Sequence, residues 1–418
     1  MSAAAQVPLP AQVPALPPIQ LPVSPRDAIG TVTGASQRLQ DVRRLRVREL
    51  LRVNRQVLEA DPNGAPIIRA EIAAYAPSEN SLRLAIEAGF RIVRESTLPA
   101  LDIRIVILAP RPGVATRTAL RRLRRADRDG SYDFNHVYVE SGIATAVAAV
   151  GAIETFPLGP ASSARVGLID TGVERKHPSL RTSSIKSWGC NSAVIPGIHG
   201  TAVASLLVGH STKFSGAAAG GNLFSADVYC SKPTGGAVEN IVAAFAWLAQ
   251  EKVAVVNVSL VGPPNLLLEK TVAAMLARGH VIVAAVGNDG PAAPPLYPAA
   301  YKGVIGVTGV DARRRVLVEA ERGAQVDFAA PGSDMGAAST SDGYVAVRGT
   351  SFAAPIVAGL LALRIHALDP TAAQQSIADF AAQAIDLGAR GVDKVYGQGL
   401  VGESVRIDPK SLVANEQR

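Results

Sequence analysis

The chain has 418 residues, 48% of them apolar and 18% charged; the length suggests two or three domains and the composition builds a large core easily. With 38 Gly, 28 Pro and few aromatics, it suits an α/β fold with close backbone packing and many turns. The net charge of +7 is gathered mainly in residues 1–160, which hold 20 Arg, no Lys and 15 acids, but the arginines mix with acids on predicted helical surfaces without a nucleic-acid motif, so no nucleic-acid partner is expected.

Residues 1–35 read as a Pro-rich, extended arm. Its first 25 residues lack Lys and Arg and contain seven prolines, a pattern unlike a signal peptide. Residues 36–140 read as a small α+β domain. Leu39, Val42, Leu45, Leu50, Val53 and Val57 recur at roughly helical spacing over 36–60. PIIRAEIAAYA (66–76) reads as a strand, ENSLRLAIEAG (79–89) as a helix stopped by Gly89, and RIVRESTL (91–98) and DIRIVILA (102–109) as two strands. ATRTALRRLRRADRDG (115–130) is a helix, and YDFNHVYVE (132–140) alternates as one last strand. The order βαββαβ predicts a ferredoxin-like domain, and nothing in it suggests chemistry of its own. Residues 141–163, small, apolar and punctuated by Pro157 and Pro160, read as a linker open to cleavage.

From residue 164 to 402 the pattern changes. Apolar strands VGLID (166–170), LFSADVY (223–229), VAVVNVSL (253–260), VIVAAVG (281–287) and GVIGVTGV (303–310) alternate with helical runs at 201–209, 238–252, 266–279 and 351–367. That alternation predicts a mostly parallel sheet covered by helices on both faces. Residues 403–418 form a polar tail. No run of 18 apolar residues occurs, so no membrane span is expected.

Three tripeptides carry the chemistry. Asp170-Thr171-Gly172 ends a strand, where open α/β sheets bind ligands. His199-Gly200-Thr201 opens a helix. Gly349-Thr350-Ser351 opens another, which aims a hydroxyl nucleophile at the positive end of the helix. Each alone is more often a turn or a cap. Together with NVSLVGPP (257–264), AAVGNDGP (284–291), YPAAY (297–301) and DFAAPG (327–332), in the order Asp, His, Ser and spaced by 29 and 152 residues, they make residues 165–402 resemble the subtilisin-like serine peptidases.

The resemblance implies a three-layer α/β sandwich and a serine endopeptidase acting through an acyl-enzyme. Ser351 would be the nucleophile, His199 the general base and Asp170 its orienting carboxylate. Asn288 would donate to the oxyanion. Ser259, Leu260, Val261, Gly262 and Ala299 would line the substrate cleft. Val261 and Ala299 stand where the family often has Gly, which predicts preference for small or medium apolar residues before the cut. The chemistry requires no cofactor or metal, and calcium sites are left open. The partners implied are peptide or protein substrates and the chain's own front domain, acting as an intramolecular inhibitor and chaperone of a self-processed zymogen. The location implied is secreted or periplasmic, with the cytoplasm as the alternative.

Cys190 and Cys230 fit no zinc pattern. They read either as one disulfide or as separate core residues, and their isolation within the catalytic region favours the bridge. His177 reads as structural, and His136, His210, His280 and His366 lack partner motifs. Gly397-Gln-Gly399-Leu-Val-Gly402 matches a dinucleotide fingerprint without room for the βαβ unit that it needs. Two other classes are a catalytically silent binding module, against which the complete triad and Asn288 argue, and a nucleic-acid or membrane binder using the Arg-rich front.

Overall fold

The computed structural model of the protein describes residues 44–146 and 160–412. The Pro-rich arm, residues 36–43 of the expected first helix with Leu39 and Val42, residues 147–159 of the expected linker and residues 413–418 of the tail lie outside the described residues.

The front domain opens with α1 (residues 44–53). The helix expected over 36–60 stops there: Asn54 turns its side-chain amide onto the Leu50 carbonyl, 2.9 Å away. Leu58 is then drawn into register with Ile68, starting β1 (Leu58–Ala60). There follow β2 (Pro66–Tyr75), α2 (Glu79–Glu87), β3 (Arg91–Leu98), β4 (Ile103–Ala109), α3 (Thr116–Ala126) and β5 (Ser131–His136). Ser78 caps α2 by accepting from the Ser81 N–H. Strands β5, β2, β4 and β3 lie side by side and antiparallel, the ferredoxin-like order. One face packs Ile72, Val106 and Leu108 against Leu82, Leu120 and Leu123 of α2 and α3.

The catalytic domain continues with β6 (Val139–Glu140), β7 (Ile143–Ala146), β8 (Arg165–Asp170), β9 (Ser184–Gly189) and α4 (Ile198–Val208). A short hairpin, β10 (His210–Ser211) and β11 (Phe214–Ser215), leads to β12 (Asn222–Asp227), α5 (Val238–Gln250), β13 (Val255–Val258), β14 (Leu260–Val261) and α6 (Leu266–Ala277). Then come β15 (Val281–Ala285), β16 (Ile305–Val310), β17 (Phe328–Pro331), β18 (Met335–Ala338), β19 (Tyr344–Arg348), α7 (Thr350–Ala362) and α8 (Pro370–Ala381). Seven strands form one parallel sheet in the order β17-β16-β15-β13-β8-β12-β9. Val166, Leu168, Val283 and Val307 share a core with α4 and α7. Ile169, Val256, Ile282 and Ala284 share another with α5 and α6. Both faces are therefore covered, as apolar-throughout strands require.

The second face of the front sheet is buried along β2 and β4, while the edge strand β3 stays largely exposed. Ala73, Ile103, Ile105 and Ile107, with Leu101 beside them, join the core that contains α5 and α6. The stretch 132–140, expected as one strand, divides. β5 stays in the front sheet, the Tyr138 N–H donates to the Gly236 carbonyl (2.8 Å), and β6 pairs antiparallel with β14. Beyond it, β7 pairs antiparallel with β19. Among the described residues no helix is long and apolar enough to cross a membrane.

Candidate active site

Asp170 is the last residue of β8, an inner strand of the parallel sheet, and His199 the second residue of α4. His199 Nδ1 lies 2.9 and 3.0 Å from the two Asp170 carboxylate oxygens, and both residues are buried. The Thr171 N–H donates to Asp170 (2.7 Å), while the Thr171 hydroxyl oxygen accepts from the Gly200 N–H (2.8 Å), so one side chain ties the two loops together. Burial opposes a charged imidazole. The charge and hydrogen bond of Asp170 outweigh it, with help from Glu140 and the Ser141 carbonyl, and push the His199 pKa up to about 9.

Ser351 stands in the first turn of α7, buried. Its hydroxyl donates to the Ser259 carbonyl (3.1 Å), and no hydrogen bond joins it to His199. Its own carbonyl has lost its helical donor, because the residue four positions on is Pro355, which has no N–H. The Ser259 hydroxyl supplies the replacement, donating to the Ser351 carbonyl at 2.9 Å, and itself accepts from Asn257 Nδ2 at 2.9 Å. Asn288 accepts the Thr350 N–H at its side-chain oxygen (3.0 Å), which turns its Nδ2 toward the cleft.

The cleft holds a segment of the same chain. Glu140 is the register partner of Leu260, and Val139 of Val261. The Ser141 carbonyl oxygen lies 3.5 Å from His199 Nε2, and the Ser141 hydroxyl accepts from Asn288 Nδ2 at 2.6 Å. Beyond Gly142, Ile143 is in register with Arg348 of β19. Two glycines make this approach possible. A Cβ on Gly349 (φ +137°) would stand 2.8 Å from the Gly142 Cα, and one on Gly142 (φ +138°) would stand 2.7 Å from the Phe352 ring. Tyr138, fully buried, lies against Gly262, with its hydroxyl donating to the Pro263 carbonyl at 2.5 Å.

Asp170, His199, Ser351 and Asn288 thus surround one point, and Ser259, Leu260, Val261 and Gly262 run along it. Ala299 lies in the core that contains Leu260 and Tyr138. Leu296 lies against Gly287, next to Asn288, where a Cβ would meet it at 2.8 Å. Cys190 and Cys230 are joined in a disulfide, with Cα atoms 5.2 Å apart, which ties the end of β9 to the end of β12. Because both thiols are consumed, their grouping with Asp227 is not a metal site. His177 is buried between the Ser179 hydroxyl and the Gly343 carbonyl, His136 between Asp61 and Asn265, and His280 against the Val253 carbonyl. None of these joins the site. His210 is buried and His366 exposed. Residues 138–142 and Asp227 carried no motif of their own; the only signal for the former was a predicted strand running on into Ser-Gly.

The model of the subtilase family matches residues 161–399. Subtilisin DY from Bacillus licheniformis is 32% identical over 248 residues, covering 57% of this chain and 89% of the relative. Thermitase from Thermoactinomyces vulgaris is 30% identical over 224 residues, covering 51% and 79%. In fold, fervidolysin from Fervidobacterium pennivorans, a keratinolytic enzyme related to subtilisin, superposes with a TM-score of 0.65 at 19% identity, over 83% of this chain and 61% of that one. With its parallel sandwich and a matching family model over more than half its length, the chain belongs to the subtilase family and is a serine-type endopeptidase.

Proposed function

We propose that Asp170, His199 and Ser351 act as the catalytic triad, and that the chain is a precursor whose own Ser141–Gly142 bond is the first peptide cut. The observation that carries this reading is the antiparallel seat of residues 138–146 across the cleft, with the Ser141 carbonyl beside His199 Nε2. Ser351 Oγ would leave the Ser259 carbonyl, surrender its proton to His199 Nε2 and attack the Ser141 carbonyl carbon. The oxyanion would be held by Asn288 Nδ2 and by the N–H groups at the start of α7. As the C–N bond breaks, His199 would return the proton to the Gly142 nitrogen, leaving Ser141 esterified to Ser351. Water, deprotonated by His199, would release the Ser141 carboxylate and restore the hydroxyl. Until then the front domain fills the cleft against other peptides.

The test is intact mass and activity of wild type against Ser351→Ala. Wild type should yield a front fragment ending at Ser141, whereas Ser351→Ala should stay at 43.3 kDa and lose on the order of 10⁴-fold or more of its turnover. A fully active enzyme that is never cut, or a cut that persists in pure Ser351→Ala, would refute the reading.

A further inference from the structure

Gly142 stands on the leaving side of the bond assigned to self-cleavage, where the segment in the cleft passes from one edge strand to another. Val139 and Glu140 pair with β14, whereas Ile143–Ala146 pair with β19. Ala144 also packs against the core that contains α4 and α7, so the far end is seated by packing as well as by strand pairing. With both ends held, the bend between them falls on Ser141 and Gly142. Gly142 takes φ +138°, a region that disfavours any residue carrying a Cβ.

The space around Gly142 is closed as well. A Cβ there would stand 2.7 Å from Cε2 and 3.4 Å from Cδ2 of Phe352, and 3.4 Å from the Arg348 carbonyl oxygen. The Gly142 backbone cannot slide toward Gly349, where a Cβ would already meet the Gly142 Cα at 2.8 Å. Phe352 has nowhere to retreat. It is fully buried in the core that contains α4 and α7, and its ring centroid lies 5.2 Å from that of His199. Moving the ring would overpack that core or disturb the imidazole beside it. Resting on the reading of residues 138–146 as the self-substrate, we infer that Phe352 closes the subsite for the residue after the cut to every side chain, so that this endopeptidase cuts before glycine. The substrate class assigned is peptides and proteins that present an X–Gly bond in an extended segment, and Phe352 is the specificity-determining residue on that side.

The test uses the full chain after self-processing, with active sites counted by a fluorophosphonate that labels Ser351. Internally quenched peptides Tyr-Val-Glu-Ser-X-Ile-Ala-Thr-Ala, with X as Gly, Ala or Leu, repeat residues 138–146 around the variable position. The enzyme's own new N-terminus, residues 142–146, competes equally with all three, so their ratio reports X alone. For the bond before X, kcat/KM should fall about thirtyfold from Gly to Ala, and further to Leu. Phe352→Ala should compress the ratio of Gly to Ala to about threefold, the remainder being backbone strain at X. Should Phe352→Ala not fold, the precursor decides: Gly142→Ala should slow the cut after Ser141 about thirtyfold, and Gly142→Ala/Phe352→Leu should return it to within about fivefold of wild type. Equal rates for Gly and Ala on labelled wild type, an unchanged ratio in folded Phe352→Ala, or a Gly142→Ala precursor cut as fast as wild type overturns the inference and leaves the peptidase intact. A chain that labels yet cuts neither the Gly peptide nor its own Ser141–Gly142 bond overturns the reading of the self-substrate, and this inference with it.

Discussion

Of the five sheets among the described residues, the two largest reach burial by different routes. The catalytic sheet is covered on both faces by helices of its own domain, so its strands need no partner. The front sheet covers one face with α2 and α3 and leaves the other to α5 and α6 of the catalytic domain. Leu101, Ile103, Ile105 and Ile107 are buried only through that docking, at about 1.5–3 kcal/mol per large side chain. Their sum, on the order of 6–12 kcal/mol, matches the whole stability of a typical domain. Polar groups lock the same seam: Asp133 accepts the Leu266 N–H at the start of α6 (2.9 Å), and Arg94 bridges Glu71 and Glu239. One domain buries its large sheet with its own helices, and the other completes the burial of its sheet on its neighbour.

The largest effect tests that contrast directly. Residues 44–141, isolated, should lack a cooperative urea transition and gain far-UV ellipticity when the separate catalytic fragment is added. A sigmoidal transition in the isolated fragment would break the comparison.

Next is the larger domain, where Asn288 Nδ2 already donates to the Ser141 hydroxyl of the segment in the cleft. Asn288→Ala should lower kcat by about 10²- to 10³-fold while KM moves little, because the lost donor meets charge that develops only in the transition state. A change confined to KM would remove Asn288 from that role.

A smaller effect marks where the front domain intrudes on the catalytic one. His199, at about 9, is protonated at neutral pH and cannot accept the Ser351 proton until it deprotonates. Self-cleavage should therefore quicken with rising pH, about tenfold per unit below about 9, then level off. Glu140 contributes to that elevation, so Glu140→Gln should move the midpoint to lower pH. A flat profile between pH 6 and 9 in stopped assays of the purified precursor would count against the protonated resting state.

Much of this was legible in the sequence, because it lies in local rules. The strand VGLID, the helix-opening His199 and Ser351, and the βαββαβ order each follow from period and punctuation. What was not legible depends on contacts between distant segments. Nothing in YDFNHVYVE says that its first half pairs with Ile67–Tyr75 and its second with Leu260–Val261. The alternation is equally good for both, and the switch at Val137 and Tyr138 is made by Ala237 and Gly236, a hundred residues away. Asp227 read as an ordinary polar residue in a strand; its place beside Asp170 comes from β12 joining β8 in register.

The smallest effect isolates the support behind the nucleophile. Pro355 removes the donor that Ser351's carbonyl would have in an uninterrupted helix, and the Ser259 hydroxyl takes its place. Ser259→Ala leaves that buried carbonyl without the replacement and deprives Asn257 Nδ2 of its acceptor, while Asn257 Oδ1 already lacks a donor. An orphaned buried polar group costs about 1–3 kcal/mol, and part of that would appear as displacement of the first turn of α7. kcat should fall about tenfold. KM should hold, since the backbone of Ser259–Val261 still pairs with the peptide. Pro355→Ala returns an N–H at the fourth position, so Ser259→Ala/Pro355→Ala should recover most of the loss. A double variant no better than Ser259→Ala would show that Ser259 acts on substrate directly and not through the carbonyl of Ser351.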